Sequence, residues 1–80
     1  MNEELRESIA EELEVDPAEL VSDKMLNELE NWDSVTALTI MIMIGDETGV
    51  PVMPNEIKEL ETFGDIEKLV QKKYKQAQEK

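Results

Sequence analysis

An all-α fold, a small bundle of three longer helices plus one short helix, is predicted by three features of this 80-residue chain. Leu5, Ile9 and Leu13 recur every four residues among Glu and Arg, the pattern of an amphipathic helix. With one Trp, one Tyr and one Phe, the core must be built from Leu, Ile, Val and Met, which suits helices better than an aromatic-rich sandwich. The single β-branched run, Ala37 to Ile44, has no second strand to pair with.

The first helix is expected from about Asn2 to Glu14, with a narrow apolar stripe. Asp16-Pro17-Ala18-Glu19 then offers a capping acceptor, a proline suited to a first helical position and a following acid, which predicts one short helical turn. No period persists from Val21 to Trp32, so a long loop is expected there, pinned by Leu20, Met25, Leu26 and Leu29. The second helix should begin at Asp33 or Ser34, both good capping residues, and stop near Gly49. Gly49 to Pro54 is turn chemistry, and a short helix fits Asn55 to Leu60. Thr62-Phe63-Gly64-Asp65 matches a capping box, with Ile66, Leu69, Val70 and Tyr74 following on one face of a helix that runs to about Gln76 before the end frays. A single domain over residues 1–80 follows, with no repeats or low-complexity tract.

Twenty acidic against eight basic side chains give a net charge of −12, which repels nucleic-acid phosphates and anionic membranes and attracts basic protein patches. Lys68, Lys72, Lys73, Lys75 and Lys80 cluster near the C-terminus, where cations complement a helix dipole and stay solvated. The first residues are acidic, with no basic-then-apolar leader, and no apolar run is long enough to span a bilayer, so a soluble cytoplasmic monomer without stable membrane insertion is the expectation.

Autonomous catalysis is not expected. His and Cys are absent, which removes the usual proton shuttle and the strongest nucleophile, and there is no Gly-rich phosphate loop. No stretch has the ligand spacing of a calcium loop, so no metal site is expected, and the many carboxylates read as a solvated face.

The informative segment is Asn31-Trp32-Asp33-Ser34-Val35, which closes the long loop and opens the least polar helix. Asp33-Ser34-Val35 resembles the Asp-Ser-Leu motif of the acyl carrier protein family, the phosphopantetheine-binding carriers, with Val in place of the usual Leu. The setting matches as well: an acidic chain, a helix and a long loop before the motif, and a helix ending in Glu47-Thr48-Gly49 after it. The Leu60 to Ile66 stretch looks like the family's passage from a short third helix to a fourth, so the resemblance covers essentially the whole chain and implies the acyl-carrier-like bundle.

The resemblance implies that a phosphopantetheinyl transferase moves 4'-phosphopantetheine from coenzyme A to Ser34, and that acyl groups ride on the arm as thioesters for fatty acid, lipid or polyketide biosynthesis. It implies that Asp33 assists the transferase and that Val35 contacts it. Helix physics is compatible, because a phosphodiester at a helix start lies beside unpaired N–H groups and the positive dipole end. The alternatives are that Ser34 and Asp33 only cap the helix and that Val35 is core. A lone Trp at position 32 reads as a core anchor.

One departure from the family stands out. The outer positions of the second helix are assigned to Thr36, Thr39 and Gly45, with only Asp46 and Glu47 acidic, so partner enzymes are expected to present basic or apolar docking patches, with Met43 either a contact for them or core filling and Met41 core filling. Leu38, Ile42, Ile57, Leu60 and Ile66 are expected to form a pliable interior able to shelter an acyl chain. An aminoacyl or peptidyl carrier, such as a D-alanyl carrier, and a non-carrier acidic interaction module are the rival readings.

Overall fold

Asn2 accepts the Leu5 N–H through its side chain at 2.7 Å and so begins α1, Glu3–Leu13, in a computed structural model that describes residues 1–79. The stripe Leu5, Ile9, Ala10 and Leu13 is buried as its spacing requires. Glu14 ends the helix in the left-handed region at φ 57°, and the Val15 N–H returns to the Ala10 carbonyl. Asp16 then caps a 3₁₀ turn, Pro17–Glu19, whose Pro17 and Leu20 carbonyls accept from the Arg6 guanidinium at 2.6 and 3.0 Å. The predicted turn is present, and Arg6 is what fastens it to α1.

The long connection to α2 is ordered by three anchors and one backbone seam. Leu20, Leu26 and Leu29 are buried as predicted, a second 3₁₀ turn spans Leu26–Glu28, and Met25 stays 37% exposed because its backbone does the pinning. Met25 pairs with Thr62 in an isolated antiparallel bridge, while Leu26 N–H donates to Glu61 and the Phe63 and Gly64 N–H groups donate to Lys24 and Ser22. The connection is thereby laid across the start of the last helix. Trp32, half-buried, packs against the core as an anchor.

Helix α2, Ser34–Thr48, begins at the Asp33 cap and ends at Gly49, which adopts φ 76°. It buries Ala37, Ile40, Ile44 and Thr48. A short helix and a long one follow: α3, Pro54–Lys58, and α4, Phe63–Gln78. The first starts one residue earlier and ends two earlier than predicted, and α4 extends two residues beyond prediction. Thr62 and Asp65 form the predicted capping box, with Asp65 N–H on Thr62 Oγ1 and the Thr62 and Glu61 N–H groups on the Asp65 carboxylate.

Ile9, Leu13, Leu20, Leu26, Ile40, Ile44, Phe63, Ile66 and Val70 have almost no exposed surface and make one continuous core. Among the described residues no strand forms. Asn2, Glu47 and Tyr74 bind one another where the start of α1 meets the ends of α2 and α4: the Asn2 amide and the Tyr74 hydroxyl both donate to Glu47 Oε1. Burial first, and then that bond to the carboxylate, pushes the Tyr74 phenol up.

The basic cluster requires a correction. Lys73 is 4% exposed rather than solvated, because its ammonium lies 2.8 Å from Glu56 Oε1, and Lys80 falls outside the described residues.

Acid should weaken this fold. The Glu56 carboxyl is held below its usual range by the Lys73 hydrogen bond and then the Met53 N–H, and Asp65 by the Glu61 and Thr62 N–H groups. Asp33 is lowered likewise by the Thr36 N–H. A carboxyl that is more acidic folded than unfolded stabilises the protein above its unfolded pKa, and that contribution is lost as pH falls through the folded value. Thermal midpoints are therefore expected to drop as pH goes below about 4, and less steeply in Asp65→Asn. A midpoint flat from neutral pH to about 3 would contradict it.

Candidate functional site

The site is built on the first turn of α2. Asp33 has extended backbone, and its Oδ1 accepts the Thr36 N–H at 2.8 Å while its carbonyl accepts the Ala37 N–H at 2.9 Å. Asp33 therefore takes the cap role, and Ser34 is the first helical residue. The capping alternative for Ser34 is excluded on this geometry, since its hydroxyl is not the capping acceptor. Asp33, Ser34 and Val35 are consecutive and all exposed. Val35, at 70% exposure, is not core.

A phosphodiester fits here sterically and electrically. The hydroxyl stands on an exposed shoulder, flanked by exposed residues on both sides, at the end of a fifteen-residue helix whose dipole favours negative charge. The nearest carboxylate, Asp33, is committed to the backbone N–H groups that lower its pKa.

The face of α2 that continues from Ser34 differs from the expected one. Thr36 and Thr39 are half-buried, and Thr39 Oγ1 donates back to the Val35 carbonyl at 3.2 Å. The outward stripe is instead Val35, Leu38 and Ile42, at 70%, 53% and 61% exposure, followed by exposed Asp46. Leu38 and Ile42 are thus surface residues and not part of an interior for an acyl chain, because the core already takes the opposite stripe of the helix. Of the remaining expected interior set, Ile66 is fully buried and Ile57 and Leu60 are half-buried.

Of the two readings open for Met43, the structure favours core filling. It is half-buried against the core and faces a shallow cleft with Leu5 and Ser8 of α1, so it does not belong to the outward stripe. Met41 packs on the core as predicted, and with Ile42, Gly45, Pro51 and Val52 it lines an open apolar groove of about 350 Å³. In a helix apolar on nearly every side, side-chain type alone does not say which stripe faces out. The weak signal was the small pair Ala37 and Thr48 at helical spacing with Ile40 and Ile44, which marks the side that must approach neighbours closely.

Among the described residues no helix is long and apolar enough to cross a membrane, and no group of carboxylates converges as a metal site.

Comparison with known proteins places the chain in a family. Residues 3–70 match the family described as the phosphopantetheine attachment site. The chain is also 32% identical over 64 residues to "Acyl carrier protein 2" of Ralstonia nicotianae, an alignment covering 80% of this chain and 79% of that protein. A non-carrier interaction module is overturned by the family match. With the match spanning α1 to the first half of α4, the chain belongs to the phosphopantetheine-binding carrier proteins, whose covalent cofactor is 4'-phosphopantetheine.

Proposed function

We propose that Ser34 is the attachment residue and that the arm carries acyl intermediates as thioesters for fatty acid, lipid or polyketide biosynthesis. The observation that carries the site assignment is that Asp33 caps α2 and leaves the exposed Ser34 hydroxyl outside the cap. The terminal thiol of the bound arm supplies the acyl-holding chemistry, which the chain itself, without Cys, does not provide. Asp33 holds a negative charge beside the reacting hydroxyl and fixes the first turn, and Val35 is a contact for the transferase. In this reading the protein is a carrier and not an enzyme, works in the cytoplasm as a monomer, and binds neither nucleic acid nor membrane.

Partners meet Val35, Leu38 and Ile42. This stripe begins one residue after Ser34 and is bordered by Asp33 and Asp46, which suits enzymes that present an apolar patch with a basic rim. Leu38→Glu and Ile42→Glu are expected to lower the transferase kcat/KM about tenfold or more each, since central apolar contacts carry most docking energy. Stability should stay within about 0.5 kcal/mol, because both side chains are already largely in water. Unchanged kcat/KM in both would remove the stripe as a docking surface.

Cargo is tested by hydroxylamine release from the protein isolated from its own cells, followed by mass spectrometry of the hydroxamates. Fatty, β-oxo or polyketide acyl hydroxamates are expected. An aminoacyl hydroxamate would establish the D-alanyl-type alternative instead.

A further inference from the structure

Asn31 ties the chain entering the Ser34 site to the far end of α1. Its side-chain amide donates to the Leu13 carbonyl at 3.1 Å and to Glu14 Oε2 at 3.0 Å, so both hydrogens of one group clasp the C-terminal end of that helix. Among the described residues, these are the hydrogen bonds that join residues 30–36 to another element. The Trp32 N–H turns back to Leu29, the Thr36 and Ala37 N–H groups close on Asp33, and the Thr39 hydroxyl closes on Val35.

Glu14 is locally disfavoured on two counts. It is the one non-glycine residue with positive φ among the described residues, at 57°, a conformation that Gly or Asn adopts at less cost. Its carboxylate also belongs to the C-terminal end of α1, the negative end of the dipole, where an acid is unfavourable. A residue that breaks two local rules calls for a contact outside its own helix. That contact is Asn31, seventeen residues on.

What the clasp holds is the start of α2. Asp33, Ser34 and Val35 are exposed and Thr36 is half-buried, so the helix has no fully buried side chain before Ala37, and its first N–H groups lack intrahelical partners. Such a turn frays unless the chain entering it is fixed, here by Trp32 packing on the core and by the Asn31 clasp. The docking stripe has a different support, because Leu38 and Ile42 lie beyond this turn, on a stretch held by buried Ile40 and Ile44. Presentation of the hydroxyl is thus separable from docking, and a misplacement of about 1 Å can slow a reaction about a hundredfold. We propose that Asn31, through Glu14 and the Leu13 carbonyl, is a positioning residue for transfer of phosphopantetheine to Ser34. This role rests on the Ser34 reading.

The test compares the full chain with Asn31→Asp, Asn31→Ala and Glu14→Gly, using coenzyme A and a broad-specificity phosphopantetheinyl transferase with kcat and KM separated, peptide mapping of the arm, and backbone amide relaxation by NMR before the arm is attached. Asn31→Asp keeps the shape but turns the donor into a carboxylate facing Glu14. Both Asn31 variants are expected to lower kcat about tenfold or more with KM within about twofold, and to reduce order at the Ser34 and Val35 amides but not at Ile9 and Ile44. Glu14→Gly suits the left-handed position and keeps the Leu13 bond, so it should melt no lower than the parent and still slow transfer about threefold, the scale of one hydrogen bond. Parent kcat in any of the three variants, a rise in KM alone, or equal loss of order at Ile9 and Ile44 overturns the positioning role while the arm still maps to Ser34. An arm mapped to another residue overturns the Ser34 reading with it.

Discussion

Gly64→Ala is expected to destabilise the protein by about 1–3 kcal/mol, the usual cost of forcing atoms into a filled site. A Cβ on Gly64 would lie 2.7 Å from the Ser22 carbonyl oxygen, the same oxygen that accepts the Gly64 N–H at 2.8 Å. The obstacle is backbone, so no rotamer change relieves it. Either the loop retreats and loses the seam at Ser22, Lys24 and Met25, or the start of α4 shifts and disturbs Phe63, which has no exposed surface. For a domain of this size each kcal/mol corresponds to roughly 4–8 °C in Tm, so a fall on the order of 10 °C should be plain in a thermal melt. By contrast, Gly45→Ala, whose Cβ meets only ordinary contacts at 3.8 Å, should be neutral or stabilising. If the two variants melt alike, the close approach at Gly64 does not constrain the fold.

Ser34→Ala is expected to abolish arm attachment while leaving Tm unchanged. Because Asp33 rather than Ser34 makes the capping bond, removing this hydroxyl takes away no helix-terminal partner, and the side chain is exposed. Loss of modification therefore reports chemistry and not folding. Asp33 separates two roles in the same way. Asp33→Asn keeps an oxygen for the Thr36 N–H and should lower Tm less than Asp33→Ala does, while slowing the transferase if the negative charge assists the reaction. Asp33→Ala should lower both. A transferase rate unchanged in Asp33→Asn would reduce Asp33 to a cap.

What the sequence made legible follows from where each residue's constraint lies. Local constraints were readable: the Leu5, Ile9, Leu13 stripe, the Thr62–Asp65 box, the Pro17 turn and the Gly49 stop act within a turn or two of chain. The Asp33-Ser34-Val35 position at the start of α2 was equally local, but whether Val35 faces out or in was not, and the structure decides it. Constraints between distant residues were not readable. That Lys73 turns inward depends on Glu56, seventeen residues earlier, and nothing in a run of C-terminal lysines distinguishes it. The orientation of α2 was hidden for a related reason. With Val35, Leu38, Ile40, Met41, Ile42 and Ile44 all apolar, only contact with α1 and α4 decides that Ile40 and Ile44 go in and Leu38 and Ile42 stay out. The same decision moves the candidate docking surface from Met43 to a stripe that starts beside Ser34.

High negative charge adds one condition to every melt. At −12, like charges repel across a domain only 37 × 25 × 19 Å, within a few screening lengths, so added salt should raise Tm and low ionic strength should exaggerate each destabilising effect. Variants are best compared at one ionic strength.

The assignment of Ser34 is tested most directly by treating the purified chain with coenzyme A and a broad-specificity phosphopantetheinyl transferase, then measuring intact mass and mapping the modified peptide. One phosphopantetheine per chain, located on Ser34 and absent from Ser34→Ala, is the predicted result; no mass gain, or an arm that persists in Ser34→Ala, would contradict it.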